Sequence, residues 1–583
     1  MRKNLETIKP YAVDELDRKK YIRLDFMENT AGCSPKVIDA MKKINAKIIG
    51  MYPDYSGINN KLARVLGITK KKFILTNGSD EAIRLVIDAI VGEQEEIILI
   101  EPTFSMFDFY AKTAGANIVA LRFKDNFSFP MEELLSSINA KTKLVILCNP
   151  NNPTGTIVDE KDIIDVADRL KEKSGGMLLV DEAYYEFSDI TVLPYIIGCD
   201  NRNIAPRKNM IITRTFSKAW GLASLRIGLI IADETVIPDI KKIASPFSLN
   251  YAAVVALSAA LDDKEYVKNY VDYVTTQRNV LEKKAEMLGF NVTPSYANFV
   301  LANFSDKADY YANAIMQKGI LVKNLDKKIK GFLRISIGSE EEMTIFYIAL
   351  AEIRLQLMFE KVDTILFDMD GVLVDVSNSY RVAIREAVNY FLKKNGIDKQ
   401  ITFEIIQFFK EKGRLNNDWD CSKAIIESYG ITVPMQEIIS KFDEICFGGA
   451  IDNEKLIVNL DMLSMLSKKY KLGIVTGRPR RDADYTIKKF GLDKYFSCIV
   501  TLDDVAKSKP DPEGIGKAIN ALGGKTCAYI GDTVDDIIAA KNALCISVGI
   551  IPPAASDNTF LILKNKGAEI VFDNINKLLE GLN

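Results

Sequence analysis

The sequence predicts an α/β protein of more than one domain, built on parallel sheets with crossover helices. Three observations carry that reading. Strand-like apolar runs alternate with amphipathic stretches along the whole length, as parallel strands with returning helices require. The chain has 583 residues, too many for one core, so about two to four domains are expected. Hydrophobic residues make up 48% and charged residues 26%, the balance of an ordinary globular protein.

In chain order, the strand-like runs of the first part are EEIILIEP, NIVALRF, KLVILCNP, GMLLVDEAY, KNMIITRTF and LIIAD. The second part contributes DTILFDMD, KLGIVTGR, FSCIVTLDD, KTCAYIGDT and CISVGI. The segment EEMTIFYIALAEIRLQLMFEK (341–361) reads as one amphipathic helix that runs almost directly into the strand at 363. A domain boundary therefore falls near 360, with a short connection. No internal repeat or low-complexity linker interrupts the pattern.

Composition excludes several function classes. A net charge of −2 gives no reason to expect a nucleic-acid partner. No apolar run is long enough to cross a bilayer, and the start MRKNLETIKPY lacks an apolar signal segment, so a cytoplasmic location is expected. Eight cysteines lie scattered without C-x-x-C spacing, which reads as reduced, mostly buried thiols. There is no histidine at all, which removes the commonest general base and the commonest zinc ligand. Ser-His-Asp hydrolases and most zinc hydrolases are thereby excluded. Catalysis falls to Lys, Asp, Glu, Tyr, Cys or a cofactor.

The strongest signal of the first part is TRTFSKAWGLASLRIG (213–228). Lys218 follows a strand and Ser217, and Arg226 lies eight residues on. A lysine so placed can form a Schiff base with pyridoxal phosphate, and an arginine at that spacing can grip its phosphate with two hydrogen bonds. The companions fit that cofactor. NPNNPTGT (149–156) offers Asn152 to the ring hydroxyl. VDEAY (180–184) ends a strand with Asp181, the carboxylate a pyridine nitrogen needs, and Tyr184 follows. TNGSDEAI (76–83) is a glycine turn opening a helix, whose Ser79 and Asp80 amides would face the phosphate. EPTFSMF (101–107) offers Phe104 to stack on the ring.

These motifs, in this order, resemble a fold-type I aminotransferase over about residues 20–358, and most of all the histidinol-phosphate aminotransferase family. The resemblance implies a large domain of about 50–250 with a mixed, mostly parallel sheet. A small α+β domain would come from about 1–49 and 251–360. It implies a homodimer with shared active sites, in which Tyr52 of YPDYSG reaches the cofactor phosphate of the neighbouring subunit. It makes Lys218 the Schiff-base lysine and proton carrier, and Arg334 of LRISIG (333–338) the grip for the substrate's anionic group. Two positions depart from the family pattern. MENTAGCSP (27–35) has Thr30 where proline is usual, and GILVKN (319–324) has Lys323 near where a second arginine commonly meets the substrate phosphate. Lysine keeps the charge but loses the fork.

A second constellation follows. FDMDGVLVD (367–375) puts Asp368 and Asp370 at one strand end, and residues i and i+2 point to one side. IVTGRP (474–479) supplies Thr476, and KSKPDP (507–512) supplies Lys509. YIGDTVDDI (529–537) supplies Asp532, Asp535 and Asp536. Acids at several strand ends beside a lysine suit Mg²⁺ and phosphate. The four pieces resemble the haloacid dehalogenase superfamily over about 361–583. That resemblance implies a Rossmann-like core (361–375 and 460–583) with a helical cap (376–459). It implies Asp368 as nucleophile, Asp370 as acid and base, and Thr476 and Lys509 on the phosphoryl group. Mg²⁺ would lie between Asp368, the Asp370 backbone carbonyl and Asp532, with Asp536 in support. An acid at 370 suits loss of an alkoxide, so a phosphatase is expected rather than a dehalogenase. In the cap, Asn416, Asn417, Asp418 and Trp419 of GRLNNDW (413–419) either reach the substrate or serve as a helix cap beside a buried tryptophan.

Two consecutive reactions are then expected from one chain. A transaminase would turn a keto-alcohol phosphate and glutamate into an amino-alcohol phosphate, and a phosphatase would free the amino alcohol. The leading pair runs from imidazole-acetol phosphate to histidinol, as in histidine biosynthesis. A second pair runs from dihydroxyacetone phosphate to serinol. A third possibility is that one half is not catalytic.

Overall fold

A computed structural model describes Ile8, Pro10 and residues 16–583, apart from 203, 412–416, 554 and 557. The chain divides into two compact units. One ends at Tyr347, and the other runs from Ile348 to Asn583 and takes in Glu286–Gly289. The helix expected over 341–361 spans Glu340–Phe359. Among the described residues no helix is long and apolar enough to cross a membrane.

In the first unit a seven-stranded sheet has the spatial order Phe73–Asn77, Ile227–Ala232, Met210–Thr215, Met177–Asp181, Thr142–Cys148, Glu96–Glu101 and Asn117–Arg122. Ile227–Ala232 is antiparallel to both neighbours, and the other pairs are parallel. The interior strands Met210–Thr215 and Ile227–Ala232 are buried at every position, because helices cover both faces. The helix Gly78–Ile90 packs Ile83, Val86 and Ile87 into a core that includes Ile97, Leu99, Leu144 and Ile146. Parallel pairing aligns the strand ends, setting Cys148 opposite Asp181 and Asp181 opposite Thr213.

A smaller sheet in the same unit has the order Ile22–Leu24, Ile320–Asn324, Phe332–Ser336, Phe299–Asn303 and Asn291–Thr293. Its strands are antiparallel except where Ile22–Leu24 runs beside Ile320–Asn324, and Lys323 lies opposite Arg334.

The second unit holds a wholly parallel six-stranded sheet in the order Cys498–Val500, Lys471–Val475, Thr364–Phe367, Cys527–Gly531, Ile546–Ile550 and Ile570–Phe572. TILF is buried at all its positions in the middle of that sheet, so its carboxyl end opens between two others. The helices Tyr380–Lys394, Phe403–Glu411, Asp418–Ser428 and Met435–Phe447 build a separate apolar core around Ile384, Val388, Ile425 and Phe442. Chain enters and leaves these helices through a two-stranded antiparallel ribbon, Val374–Asp375 against Lys455–Leu456.

One buried ion pair braces the strand ends of the large sheet. Arg214 donates through Nε and Nη2 to Glu182 Oε2 at 2.9 and 2.8 Å, with the two side chains 6% and 1% exposed. Glu182 also accepts from Thr191 Oγ1 and the Val192 amide, and Arg214 lies 3.7 Å over the Tyr185 ring. Removing one partner strands the other charge in the interior. Arg214→Met should therefore lower unfolding stability by about 3–5 kcal/mol in denaturant titration, whereas an exposed pair such as Lys112–Asp108 should cost under about 1 kcal/mol.

Candidate active sites

In the first unit the sequence motifs meet at the carboxyl ends of the parallel strands. Asp181 is buried, and its Oδ1 accepts from Thr213 Oγ1 at 2.8 Å, while the Cys148 thiol lies 3.9 Å from Oδ2. Burial pushes its carboxyl up to about 7; the Thr213 hydrogen bond opposes that rise, and nearby Asp80 and Glu182 add to it. Lys218 Nζ donates to the Phe26 carbonyl at 2.9 Å and lies 5.8 Å from the Tyr184 ring centroid. Burial, then the Arg334 charge, brings its ammonium down to about 8. Arg334 donates to Asn152 Oδ1 and, at 2.7 Å, to the Asp25 carbonyl. Tyr184 is buried edge-on to Phe299, and burial raises its hydroxyl above the ordinary range. Ser217 is buried and bonds Thr215 Oγ1 at 2.9 Å.

The helix Gly78–Ile90 opens on Ser79 and Asp80, and Arg226 Nη2 donates to Asp80 Oδ2 at 2.7 Å. Two glycines make this approach possible. Gly78 has φ +78°, and a Cβ there would stand 2.5 Å from Arg226 Nη2. A Cβ at Gly228 would stand 2.3 Å from the Gly78 carbonyl carbon. The result is a side-chain-free turn of amides at a helix start beside a guanidinium, which suits a phosphate. With an amine and a buried carboxylate nearby, the donor set fits pyridoxal phosphate.

Other expected residues lie in different settings. Phe104 packs edge-on to Phe107 at 5.6 Å. Tyr52 is 78% exposed and stacks on Phe247 at 4.5 Å. Lys323 sits beside Arg334 across the strands, with Nζ 5.8 Å from the Phe26 ring. The unusual Thr30 has a local use: its hydroxyl bonds Glu342 and accepts the Ser339 amide at 3.0 Å, pinning the early loop to the start of the helix Glu340–Phe359.

In the second unit Lys509 is the hub. Its Nζ donates to Asp368 Oδ1 at 2.7 Å, Asp536 Oδ1 at 2.6 Å and Tyr529 Oη at 3.1 Å. Burial alone would lower its ammonium, but the two carboxylates more than reverse this and hold it well above the usual lysine range. Asp368 is pushed up to about 7 by burial, against the pull of Lys509. Burial, with Asp536, Asp368 and Asp370 nearby, raises Asp532 well above the usual carboxylate range. Asp368, Asp532 and Asp536 each bring an oxygen within 4.8 Å of the others, and Asp532 Oδ1 is buried with no hydrogen-bond partner. A divalent cation would neutralise that crowding, so the set fits Mg²⁺. Asp536 already accepts from Lys509, Tyr529 and Thr533, which suits a supporting position. Gly371 (φ +75°) is required here, since a Cβ would stand 2.2 Å from Asp532 Oδ2.

The Asp370 carboxylate lies apart from that trio and is held by Arg478, through Nε at 2.7 Å. Thr476 is buried, and its Oγ1 accepts the Arg478 amide at 3.2 Å. Asp535 is buried on the helix Val534–Asn542. A cavity lined by Asp368, Asp370, Thr476 and Asp532 is also bordered by Asn417, Asp418 and Trp419. Asn417 caps the helix Asp418–Ser428 through the Trp419 amide at 2.8 Å, and Asp418 accepts from Lys410 at 2.7 Å. Asn416 lies outside the described residues. Sequence reasoning missed Arg478, Tyr529 and Lys410. The triplet GRP after Thr476 was the one available signal, because an arginine at a strand end next to acids invites an ion pair.

Exchanging the acid with the orphaned oxygen tests the cation site. Millimolar Mg²⁺ should raise a thermal transition of the full chain by about 2–4 °C in calorimetry, and Asp532→Asn should remove that shift. An equal shift in the variant would place the cation elsewhere.

Both parts of the chain match known families. Residues 19–350 match the model of aminotransferase class I and II, and residues 362–543 match that of haloacid dehalogenase-like hydrolase. A histidinol-phosphate aminotransferase of Caldanaerobacter subterraneus subsp. tengcongensis is 34% identical, over 60% of this chain and 98% of that protein. The corresponding protein of Bacillus subtilis is 31% identical, over 60% and 99%. Among solved structures, histidinol-phosphate aminotransferase from Sinorhizobium meliloti in complex with pyridoxal-5'-phosphate is 25% identical, with TM-score 0.54 over 61% of this chain and 98% of that one. With the lysine, carboxylate and glycine turn gathered at the strand ends and the match running from 19 to 350, the chain belongs to the class I and II aminotransferase family, followed by a haloacid dehalogenase-like hydrolase domain.

Proposed function

We propose that the chain catalyses two consecutive steps: transamination of a phosphorylated keto alcohol, and hydrolysis of the resulting phosphate ester. The observation that carries this reading is the presence on one chain of two complete sets of reacting groups. The first unit's relatives carry the name histidinol-phosphate aminotransferase. The leading substrate pair is therefore imidazole-acetol phosphate and glutamate, giving histidinol phosphate and then histidinol.

In the first site, Asn152, Asp181, Ser217, Arg226 and the amides of Ser79 and Asp80 would hold pyridoxal phosphate, with Phe104 and Tyr184 beside its ring. Tyr52, exposed on this chain, would serve the site of a second copy. When bound, the cofactor supplies an electrophilic carbon and an electron sink. Lys218 Nζ, neutral above about pH 8, can accept a proton from the substrate carbon and return it. Arg334, oriented by Asn152 and the Asp25 carbonyl, presents its fork to the substrate's anionic end, and Lys323 adds a second positive charge.

In the second site, an Asp368 oxygen attacks phosphorus while the ester P–O bond breaks. Asp370 passes a proton to the departing alkoxide oxygen. Asp370 then takes a proton from water, whose oxygen attacks the aspartyl-phosphate, and inorganic phosphate leaves Asp368. Lys509 and Thr476 hold the phosphoryl oxygens. Mg²⁺, held by Asp368 and Asp532 with Asp536 behind them, would offset the charge gathered there. The lysine at 323 favours a second reading, in which a smaller keto phosphate, dihydroxyacetone phosphate, is converted to serinol.

The purified full chain, given imidazole-acetol phosphate and glutamate, should release 2-oxoglutarate and inorganic phosphate. Turnover of dihydroxyacetone phosphate alone would establish the second reading. Lys218→Ala should cut transamination at least about 10³-fold and leave phosphate release from added histidinol phosphate within about 2-fold, and Asp368→Asn should do the reverse.

Lys218 must be neutral to take up the cofactor's aldehyde. Uptake of pyridoxal phosphate by the cofactor-free chain should rise about tenfold per pH unit below 8 and level off above about 9. A rate still climbing at pH 10, in stopped-flow absorbance, would mean an ordinary lysine.

A further inference from the structure

Arg478 is 3% exposed, yet it lies on the wall of the phosphatase cavity. Its guanidinium hydrogen-bonds through Nε and Nη1, while Nη2 faces two carboxylates at ion-pair distance without a hydrogen bond. Nε donates to Asp370 Oδ1 at 2.7 Å, and Nη2 stands 2.5 Å from the same oxygen. Nη1 donates to Thr486 Oγ1 at 2.6 Å, and Nη2 lies 2.8 Å from Glu454 Oε1. Thr486 in turn donates to Glu454 Oε2 at 2.7 Å, and the Glu454 side chain has no exposed surface. The plane sits 4.4 Å from the Tyr380 ring centroid, and Tyr380 Oη donates to Asp482 at 3.2 Å.

The anchors are not random parts of the fold. Glu454 directly precedes Lys455–Leu456, one strand of the ribbon that carries the cap, and Tyr380 is the first residue of the first cap helix. Asp370 lies a few residues before the ribbon's other strand, Val374–Asp375. One planar cation thus ties the acid–base carboxylate to the exit of the cap and to its opening helix. A lysine could meet one of these partners; the fork hydrogen-bonds two, Asp370 and Thr486, and faces the Glu454 charge.

We propose that Arg478 is a positioning residue for ester hydrolysis, aiming the Asp370 carboxyl at the leaving oxygen and linking that aim to the seating of the cap. The proposal rests on the reading of Asp368 and Asp370 as nucleophile and acid. Arg478 takes no part in bond changes. Its effect appears only where Asp370 must deliver a proton.

Leaving groups separate this role from mere support of the fold. p-Nitrophenolate departs without a proton, whereas a primary alkoxide needs one. kcat/KM of the full chain with Mg²⁺ is measured on p-nitrophenyl phosphate and on two alkyl esters, histidinol phosphate and glycerol 3-phosphate. Because kcat/KM covers steps up to loss of the leaving group, it isolates the proton delivery. Arg478→Met should lower kcat/KM on the alkyl esters at least about 100-fold and on p-nitrophenyl phosphate less than about 10-fold. Arg478→Lys should recover part of the alkyl-ester loss. Thr486→Val, a gentler change that removes one anchor, should shift the same ratio in the same direction, and it carries the test if Arg478→Met does not fold. Equal losses on both ester types in the variants that fold would overturn the proposal and leave the phosphatase reading standing. A wild-type chain that releases p-nitrophenol but cleaves neither alkyl ester would also overturn it. No release from any ester by the wild type would overturn the phosphatase reading together with this one.

Discussion

A charge taken out of water must meet an opposite charge or give up its ionisation, and this constraint orders both units. Glu182 meets Arg214 from the adjacent strand, and the two charges close on each other. Asp181, one residue earlier, holds the Thr213 hydroxyl and a thiol 3.9 Å away, with no paired cation among the described residues. It is correspondingly reluctant to ionise until something positive arrives. The same contrast recurs in the second unit. Lys509 closes the charges of Asp368 and Asp536, while Asp532 keeps an unpartnered oxygen. Closed pairs hold the frame, and open carboxylates mark the places where a ligand completes the electrostatics.

The parallel sheet explains why these groups converge. A strand buried on both faces carries no polar side chains until it ends, so polar chemistry gathers where the strands stop. TILF ends in Asp368, and the strands on either side, Lys471–Val475 and Cys527–Gly531, are followed by Thr476 and Asp532. The large sheet does likewise with Cys148 and Asp181, in register with Thr213. The small sheet lacks this logic. Its antiparallel pairing instead sets Arg334 against Lys323, so two positive charges from distant stretches of chain share one edge.

Much of this is legible in the sequence itself. Apolar runs ending in NPNNP, VDEAY, FDMDG and YIGD announce buried strands with chemistry at their tips. The α/β class and the aminotransferase–hydrolase order follow from them. Side-chain partnerships were not legible where they join residues far apart in sequence. Nothing local to Thr30 points to Glu342, and nothing local to Arg478 points to Glu454 or Thr486. The ribbon strands Val374–Asp375 and Lys455–Leu456 are too short to leave a periodic pattern. Asn417 was read as either a substrate contact or a helix cap, and it both borders the cavity and caps its helix. Composition alone cannot separate roles that one side chain fills together.

The ribbon sets the terms on which the cap is joined to its core. Residues 376–454 leave and return through two strands that face each other, so the pairing of Val374 with Leu456 and Asp375 with Lys455 closes a long loop at a single point. The entropy of closing a loop grows only with the logarithm of its length, by about 0.6 kcal/mol for each doubling. The cap helices bury their own apolar faces, while Arg478 against Glu454 and Tyr380, and Tyr380 Oη on Asp482, carry the seating of the cap to the strand tips. This part of the molecule is a graft with a fixed root: its interior packing is its own, while Tyr380 and Glu454 at the closure stay tied to Arg478 and through it to Asp370.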